Sequence, residues 1–321
     1  MARVLANDGI DDSGRQILTE AGIEVVTNKI AQENLNSELK NFDGVLVRSA
    51  TQIPKDIIDS APSLKVIGRA GVGMDNIDVI YAREKGIRVV NTPEASSDSV
   101  AELVMANMFT IARGLHIANR KMPKEGSAIF KDLKKDLSKG AELHGKTLGI
   151  IGFGRIGKAL ARMAIAQGMK VITYSIEGQD VMIHLKQLDH LGIDPVKVKV
   201  NAYSKDTVLE NSDFLSLHVS HATGSPALIG KEELSKMKDG SYIINASRGG
   251  VVDENELIKA LDSGKIAAAA LDVFENEPTP SKKILNHPKI SLSPHIGAST
   301  KEAQKRIGIE IANKVVQALN K

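Results

Sequence analysis

A glycine motif between a short apolar run and a helical stretch constrains this chain more than any other feature. The run Leu148–Ile151 leads into Gly152-x-Gly154-x-x-Gly157, and Arg155–Gln167 then has the pattern of a helix. Strand, glycine turn and helix in this order make up a dinucleotide-binding fingerprint. The first glycine permits the tight turn, the second lets backbone approach a pyrophosphate, and the third lets helix and strand pack closely. The alternative is a glycine-rich turn without a ligand.

The residues that follow the motif bear on which dinucleotide binds. The first helical turn, with Arg155 and Ile156, presents unsatisfied N–H groups and a partial positive charge to a phosphate. About 20 residues after such a motif an acid usually binds the ribose hydroxyls, but here Ser175 occupies that place. Glu177 is the nearest acid, and it would repel a 2′-phosphate. We therefore expect NAD rather than NADP, with Glu177 as a solvated turn residue as the alternative.

Composition excludes several classes of protein. The chain has 321 residues, 42% apolar and 25% charged, which is ordinary for a globular protein with room for two domains. A net charge of +3 gives no argument for nucleic acid or a membrane surface, and we expect neither partner. The absence of cysteine excludes disulfides and thiolate metal sites, and no metal is expected. Asp8 precedes any long apolar run, so we expect no signal peptide and a cytoplasmic location.

Short β-rich runs alternate with helical stretches along the chain, which predicts parallel βαβ units. One set precedes the glycine motif and a second set follows it, with a single long helix predicted between them at Asp98–Arg120. A last helix, Lys301–Leu319, is expected to pack back on the first domain. The predicted fold is therefore α/β, with two Rossmann-like or flavodoxin-like parallel-sheet domains and an interdomain cleft. Residues 1–97 and 293–321 form the substrate-binding lid in this prediction, and residues 98–292 bind the dinucleotide.

Three polar residues follow predicted strands in the second half of the chain. They are Arg248, Glu277 and His295. Ligands of open α/β folds bind at the carboxyl edge of the sheet, where these side chains can converge. Hydride transfer from a 2-hydroxy acid needs a base, a carboxylate that orients it, and a planar cation that holds the substrate carboxylate. The alternatives are a surface ion pair for the arginine, a solvated turn for the glutamate and a helix-entry cap for the histidine.

Motifs along nearly the whole chain resemble the D-isomer-specific 2-hydroxyacid dehydrogenases. Besides the glycine motif, the matching segments are V-R-S-A-T (47–51), V-I-G-R-A-G-V-G-M-D-N-I-D (66–78), N-T-P (91–93), S-V-A-E-L (99–103), N-A-S-R-G-G-V-V-D-E (245–254), A-L-D-V-F-E-x-E-P (270–278) and P-H-I-G-A-S-T-K-E-A-Q (294–304). The resemblance implies a catalytic trio of Arg248, Glu277 and His295. It also implies that Asp272 accepts a hydrogen bond from the nicotinamide amide. Further cofactor contacts are implied at His218, Ala246, Ser247 and Gly297.

The resemblance is strongest to the branch that oxidises 3-phospho-D-glycerate, and it implies a homodimer in contact through the predicted 98–120 helix. In this branch Val72 and Gly73 are expected to cradle a carboxylate with their backbone N–H groups. Arg48 and Arg69 are expected to bind the substrate phosphate. The alternative for both arginines is ion pairing with nearby acids, at Asp43, Asp75 or Glu94. Lysines at 131, 134, 135 and 139 add positive charge from a second subunit, or form a solvated face.

Other activities stay open at this stage. A related enzyme would reduce glyoxylate or hydroxypyruvate, and a non-enzyme relative would sense NAD as an interaction protein. The chain departs from the family pattern in three places, at Ser175 in place of the usual acid, in a long segment at 178–207, and at Ser220 in place of proline after His218-Val219. Because the chain stops at Lys321, no C-terminal regulatory domain is expected.

Overall fold

The computed structural model describes residues 1–192, 194–222 and 224–320, so Ile193 of the long 178–207 segment lies outside the described residues. The chain divides into two compact units. Unit 1 contains Met1–Ser99 and Ala298–Lys321, and unit 2 contains Val100–Gly297.

Thirteen strands are found in the described part of the chain. They are β1 (Arg3–Ala6), β2 (Glu24–Val26), β3 (Gly44–Val47), β4 (Val66–Arg69), β5 (Arg88–Asn91), β6 (Thr147–Ile151), β7 (Lys170–Tyr174), β8 (Val181–His184), β9 (Lys197–Ala202), β10 (Phe214–Leu217), β11 (Ser241–Asn245), β12 (Ile266–Leu271) and β13 (Ile290–Leu292). Apart from β8, the strands after the glycine motif lie within two residues of the β-rich runs in the sequence, at 170–173, 197–200, 214–217, 242–245, 267–271 and 290–292.

The same residues form twelve α-helices. They are α1 (Asp12–Glu20), α2 (Leu35–Glu38), α3 (Lys55–Asp59), α4 (Val79–Glu84), α5 (Ser97–Ala112), α6 (Leu115–Leu137), α7 (Arg155–Ala166), α8 (Lys205–Asn211), α9 (Lys231–Lys236), α10 (Glu254–Asp262), α11 (Lys282–Asn286) and α12 (Lys301–Leu319). Short 3₁₀ turns occur at Gln32–Asn34, Leu39–Asn41 and Lys186–Leu191.

Unit 1 is a five-stranded parallel sheet in the order β2-β1-β3-β4-β5. This is the flavodoxin-like order, whose switch point lies between β1 and β3. Helix α12 packs on this sheet through Ile311, Ala312 and Val315, in one apolar cluster with Val4 and Leu46. The predicted return of the last helix to the first domain is therefore seen.

Unit 2 is an eight-stranded sheet in the order β13-β12-β11-β10-β6-β7-β9-β8. All of its pairs are parallel except that of β8 with β9. The stretch from β9 to β12 has the 3-2-1-4-5-6 order of a Rossmann sheet, with β6 as its first strand. The predicted α/β class with parallel sheets is confirmed.

One prediction of secondary structure was wrong, and a second is confirmed only in part. The single helix expected at Asp98–Arg120 is two helices, α5 and α6, separated at Gly114, whose φ of +63° ends the helical path. The segment H-L-K-Q-L-D-H-L-G (184–192) has a pattern that predicts a helix, and it begins at the last residue of β8 and contains a short 3₁₀ helix at Lys186–Leu191. Leu185 and Leu188 of this segment pack in the same apolar cluster as Ile183 of β8 and Val200 of β9, and a short apolar run does not distinguish strand from helix.

The boundaries between the units also differ slightly from the predicted ones. Unit 2 extends to Gly297, five residues beyond the predicted end at 292. The cause is local, since the carboxylate of Asp272 in unit 2 accepts hydrogen bonds from Ser293, Ile296 and Gly297.

Candidate active site

The glycine turn of unit 2 has the geometry that a pyrophosphate needs. Gly152 follows β6 with φ of +94°, and Gly154 is the N-cap of α7. A β-carbon at Gly157 would lie 2.6 Å from the carbonyl oxygen of Gly152, so only glycine lets α7 pack this closely on the turn. A β-carbon at Gly154 would meet no atom within 4 Å, so the space above it is open. The open face of the turn is therefore available to a ligand.

This turn forms one wall of a cavity of about 690 Å³. Gly152, Gly154, Ser175, Glu177 and His218, all predicted cofactor residues, line it together. The other predicted cofactor residues, at positions 155, 156, 157, 246, 247, 272 and 297, are not among its lining residues. The cavity thus extends from the glycine turn to the end of β7, as an adenosine site does in this fold.

Ser175 and Glu177 lie in a tight turn after β7, closed by a hydrogen bond of 3.0 Å from the N–H of Gly178 to the carbonyl of Ser175. The cavity also contains two lysines that sequence reasoning missed, Lys158 and Lys205. Lys205 is paired with Glu233 at 2.9 Å, so its charge is compensated within the pocket.

His218 is a neutral group at the same wall. Burial lowers its pKa to about 4. Its Nε2 lies 2.9 Å from the hydroxyl of Ser216. His218, a cofactor residue implied by the family resemblance, therefore lines the cavity as an uncharged ring.

Glu277 and His295 form a close pair in unit 2. The Oε2 atom of Glu277 lies 2.8 Å from Nδ1 of His295, and its Oε1 accepts the backbone N–H of Phe274 at 3.0 Å. Burial raises the pKa of Glu277, but the hydrogen bond and charge of His295, the N–H of Phe274 and the charge of Arg248 outweigh it, so the pKa lies below its ordinary value. Glu277 is thus held as a carboxylate beside the imidazole.

Arg248 lies at the end of β11, in a turn that Asn245 holds. The side-chain amide of Asn245 donates to the carbonyl of Arg248 at 2.8 Å, and its oxygen accepts both the N–H and the hydroxyl of Ser247. The guanidinium donates to the carbonyl of Ser247 at 2.7 Å. The next residue, Gly249, packs directly on the carbonyl of Phe274, where a β-carbon would overlap it. This close approach brings the turn beside the Phe274–Glu277 loop, and the three predicted catalytic residues lie in one unit.

The loop that carries His295 is fixed by Asp272. The carboxylate of Asp272 is buried, and it accepts the hydroxyl of Ser293 at 2.6 Å and the N–H groups of Ile296 and Gly297 at 2.9 Å each. The backbone carbonyl of Asp272 accepts the N–H of His295 at 2.8 Å. Sequence reasoning assigned Asp272 to the nicotinamide and missed Ser293.

A second cavity in unit 2, of about 380 Å³, adjoins the histidine–glutamate pair. Its walls are mainly apolar, from Phe274, Pro278, Leu285 and Leu292. No sequence motif indicated this cavity.

The predicted substrate residues of unit 1 lie at the carboxyl edge of its sheet. The backbone of Arg48 is fixed by Asp8, which accepts its N–H at 2.7 Å, and by Asn76, which donates to its carbonyl at 2.8 Å. Arg48 lines a cavity of about 300 Å³ together with Asp8 and Gln304. This cavity follows β1 and β3, at the switch point of the fold.

Arg69 lies over the backbone of Gly71, the first residue of the Gly-Val-Gly segment that contains Val72 and Gly73. Its Nη1 donates to the carbonyl of Ala70 at 3.3 Å, and a β-carbon at Gly71, where φ is +149°, would overlap the guanidinium. Asp43, one alternative partner for these arginines, is instead paired with Lys65 at 2.9 Å.

The lysines at 131, 134, 135 and 139 are exposed, the first three on α6. Large apolar side chains on α5, on α6 and at the junction between them are exposed as well, namely Phe109, Leu115, Met122 and Phe130. Within residues 1–192, 194–222 and 224–320, no helix is long and apolar enough to cross a membrane. The same residues contain no cluster of three metal-binding side chains.

Comparisons with known proteins agree on the family of this chain. Residues 105–297 match the family described as D-isomer specific 2-hydroxyacid dehydrogenase, NAD binding domain. A hydroxypyruvate reductase of Thermotoga maritima is 42% identical over 99% of this chain and 98% of its own length. A D-3-phosphoglycerate dehydrogenase of Methanocaldococcus jannaschii is also 42% identical, over 99% of this chain, but the chain spans only 58% of that protein. The structure of a glyoxylate reductase from Paecilomyes thermophila superposes with a TM-score of 0.80, at 29% identity over 100% of this chain and 96% of that one.

Proposed function

Because the chain belongs to the D-isomer specific 2-hydroxyacid dehydrogenases, NAD-dependent oxidoreductases, we propose that it oxidises 3-phospho-D-glycerate to 3-phosphohydroxypyruvate. This is an entry reaction of serine biosynthesis. The observation that carries the chemical part is the 2.8 Å contact between His295 and Glu277, with the charge of Arg248 acting on the same carboxylate.

His295 is the base. With Nδ1 bound to the Glu277 carboxylate, the neutral ring carries its proton on Nδ1 and leaves Nε2 free to take the proton of the substrate hydroxyl. The carboxylate then stabilises the imidazolium that forms. Bound NAD supplies the acceptor for the hydride that leaves C2.

Arg248 is the substrate anchor. A guanidinium binds a carboxylate through two parallel hydrogen bonds, which fixes the plane of the substrate. Its turn is held by Asn245, so Arg248 is preorganised for the substrate.

Because His295 is the proposed base, His295→Ala should lower kcat by about 10³-fold or more. Turnover of this variant at the wild-type rate would contradict the role of His295 as the base, and NAD binding by the wild type without turnover of any 2-hydroxy or 2-oxo acid would favour an NAD-sensing binding protein.

The phosphate assignment is supported by the two arginines of unit 1 and by the phosphoglycerate dehydrogenase relatives. The competing candidate is reduction of hydroxypyruvate or glyoxylate. It is favoured by one observation, that the hydroxypyruvate reductase of Thermotoga maritima is as similar to this chain, at 42% identity, as the phosphoglycerate dehydrogenase of Methanocaldococcus jannaschii.

Initial rates with Arg48→Ala and Arg69→Ala separate these candidates. Loss of a charged hydrogen bond to a phosphate should lower kcat/KM for phosphorylated substrates by about 10- to 100-fold, with a much smaller change for hydroxypyruvate and glyoxylate. Arg83→Ala, on the exposed face of α4, is the matched control. Equal losses for all substrates would contradict phosphate recognition.

We also propose that the protein is a cytoplasmic homodimer. The four exposed apolar side chains of the α5–α6 region support a protein contact there. The absence of cysteine fits a reducing compartment.

A further inference from the structure

His295 has an unfavourable backbone conformation. With φ of +53° it is the one non-glycine residue in the described part of the chain that lies in the left-handed region. Such conformations persist only where the surroundings over-determine them. Something must therefore hold this loop.

Asp272, at the end of β12, supplies four of the contacts that do so. Its backbone carbonyl accepts the N–H of His295 at 2.8 Å. Its Oδ1 accepts the hydroxyl of Ser293 at 2.6 Å and the N–H of Ile296 at 2.9 Å, and its Oδ2 accepts the N–H of Gly297 at 2.9 Å. These hydrogen bonds bracket the histidine on both sides. The side chain is 1% exposed, so solvent does not compete for them.

We infer that Asp272 is a positioning residue. Its carboxylate holds the left-handed backbone conformation at His295, and so keeps Nδ1 of His295 within hydrogen-bond distance of the Glu277 carboxylate. This inference rests on the proposed role of His295 as the base. It differs from the role that the family resemblance implies, a contact to the nicotinamide amide. A carboxylate that only bound the amide would change cofactor affinity and leave the imidazole unaffected.

The charge of the carboxylate is needed because all three of its partners in the loop are donors. An asparagine has one acceptor oxygen and one donor group, so Asp272→Asn would set an N–H group against the N–H of Gly297 or against the Ser293 and Ile296 donors. The turn would then rearrange and displace the imidazole. Ser293→Ala removes one donor and leaves the charge in place.

The test compares Asp272→Asn and Ser293→Ala with Ser291→Ala. Ser291 lies two residues earlier, on β13, and is buried, but its hydroxyl donates to Asn107 at 3.4 Å instead of to Asp272. For each variant kcat, the dissociation constant of NADH by fluorescence and the ¹⁵N signals of the His295 ring are measured. The ring signals report whether Nδ1 carries the proton toward Glu277, and they need no turnover.

We expect Asp272→Asn to lower kcat about 100-fold, as a displacement of about 1 Å does, and Ser293→Ala to lower it about tenfold. Both should alter the ring signals, while Ser291→Ala matches wild type. If Asp272→Asn does not fold, Ser293→Ala alone decides the question. Unchanged ring signals in the folded variants, with only the NADH dissociation constant raised, would overturn the inference. An active His295→Ala would overturn the catalytic proposal separately.

Discussion

The close packing of α7 on the glycine turn predicts different outcomes for two alanine substitutions three residues apart. At Gly157 the added β-carbon would lie 2.6 Å from the Gly152 carbonyl, 0.8 Å less than the 3.4 Å at which ordinary contact begins. The helix must move away from the turn by a distance of this order, and overpacking of this kind costs about 1–3 kcal/mol. At Gly154 the β-carbon meets no protein atom, so Gly154→Ala should cost little in stability.

NADH titration and thermal melts of both variants test this reasoning. Gly157→Ala should lose stability and, because its first turn no longer reaches the pyrophosphate, bind NADH about 5- to 150-fold more weakly. Gly154→Ala should keep the wild-type melting temperature but lose affinity, since its methyl group occupies the space of the pyrophosphate. Normal NADH binding by Gly154→Ala would refute a pyrophosphate at this turn. A wild-type melting temperature for Gly157→Ala would refute the packing argument.

Further predictions concern the acid–base pair, the cofactor, a buried histidine and assembly. Glu277→Gln should lower kcat at least about 100-fold, because the amide no longer holds the productive ring tautomer. Since the pKa of Glu277 is lowered, its stabilising pair with His295 exists above the ordinary value of 4.5 and is lost as pH falls, so urea melts of wild type and variant should converge in acid. Ser175→Asp should lower KM for NAD and raise that for NADP in initial-rate assays. The lowered pKa of His218 means that stability falls as pH drops from 6.5 towards 4, and urea melts of His218→Phe should show a smaller fall. Sedimentation of Phe130→Asp should show a weaker dimer than wild type, and an unchanged dimer would contradict a contact there.

The sequence predicted those parts of the fold that local chemistry determines. The glycine spacing 152-154-157 after a strand is typical of a tight turn into a helix, and the parallel direction of the strands follows from the alternation of strands and helices. The meeting of Glu277 and His295 was predicted because both follow strands of one parallel sheet, and 2.8 Å between them is the result.

What the sequence did not predict depends on contacts between distant segments. A single glycine such as Gly114 is tolerated within a long helical pattern, and only its backbone angle shows that the helix ends there. The antiparallel pairing of β8 with β9 depends on tertiary contacts, which the local sequence pattern does not determine. Asp272 was read through its family resemblance alone, and its three hydrogen bonds to the loop at 293–297 have no sequence signature.

The three groups assigned to the chemistry all belong to unit 2, whereas the two arginines assigned to the phosphate belong to unit 1. Because the two sets of residues lie in different units, the protein is suited to chimeras in which one unit is exchanged. Segments 1–99 and 298–321 from a relative that prefers another acid would replace the anion-binding residues. Glu277 and His295, which are assigned to proton transfer, would stay unchanged in the chimera. Substrate selectivity can therefore change by exchange of unit 1 alone, without any change in the surroundings of His295 within unit 2.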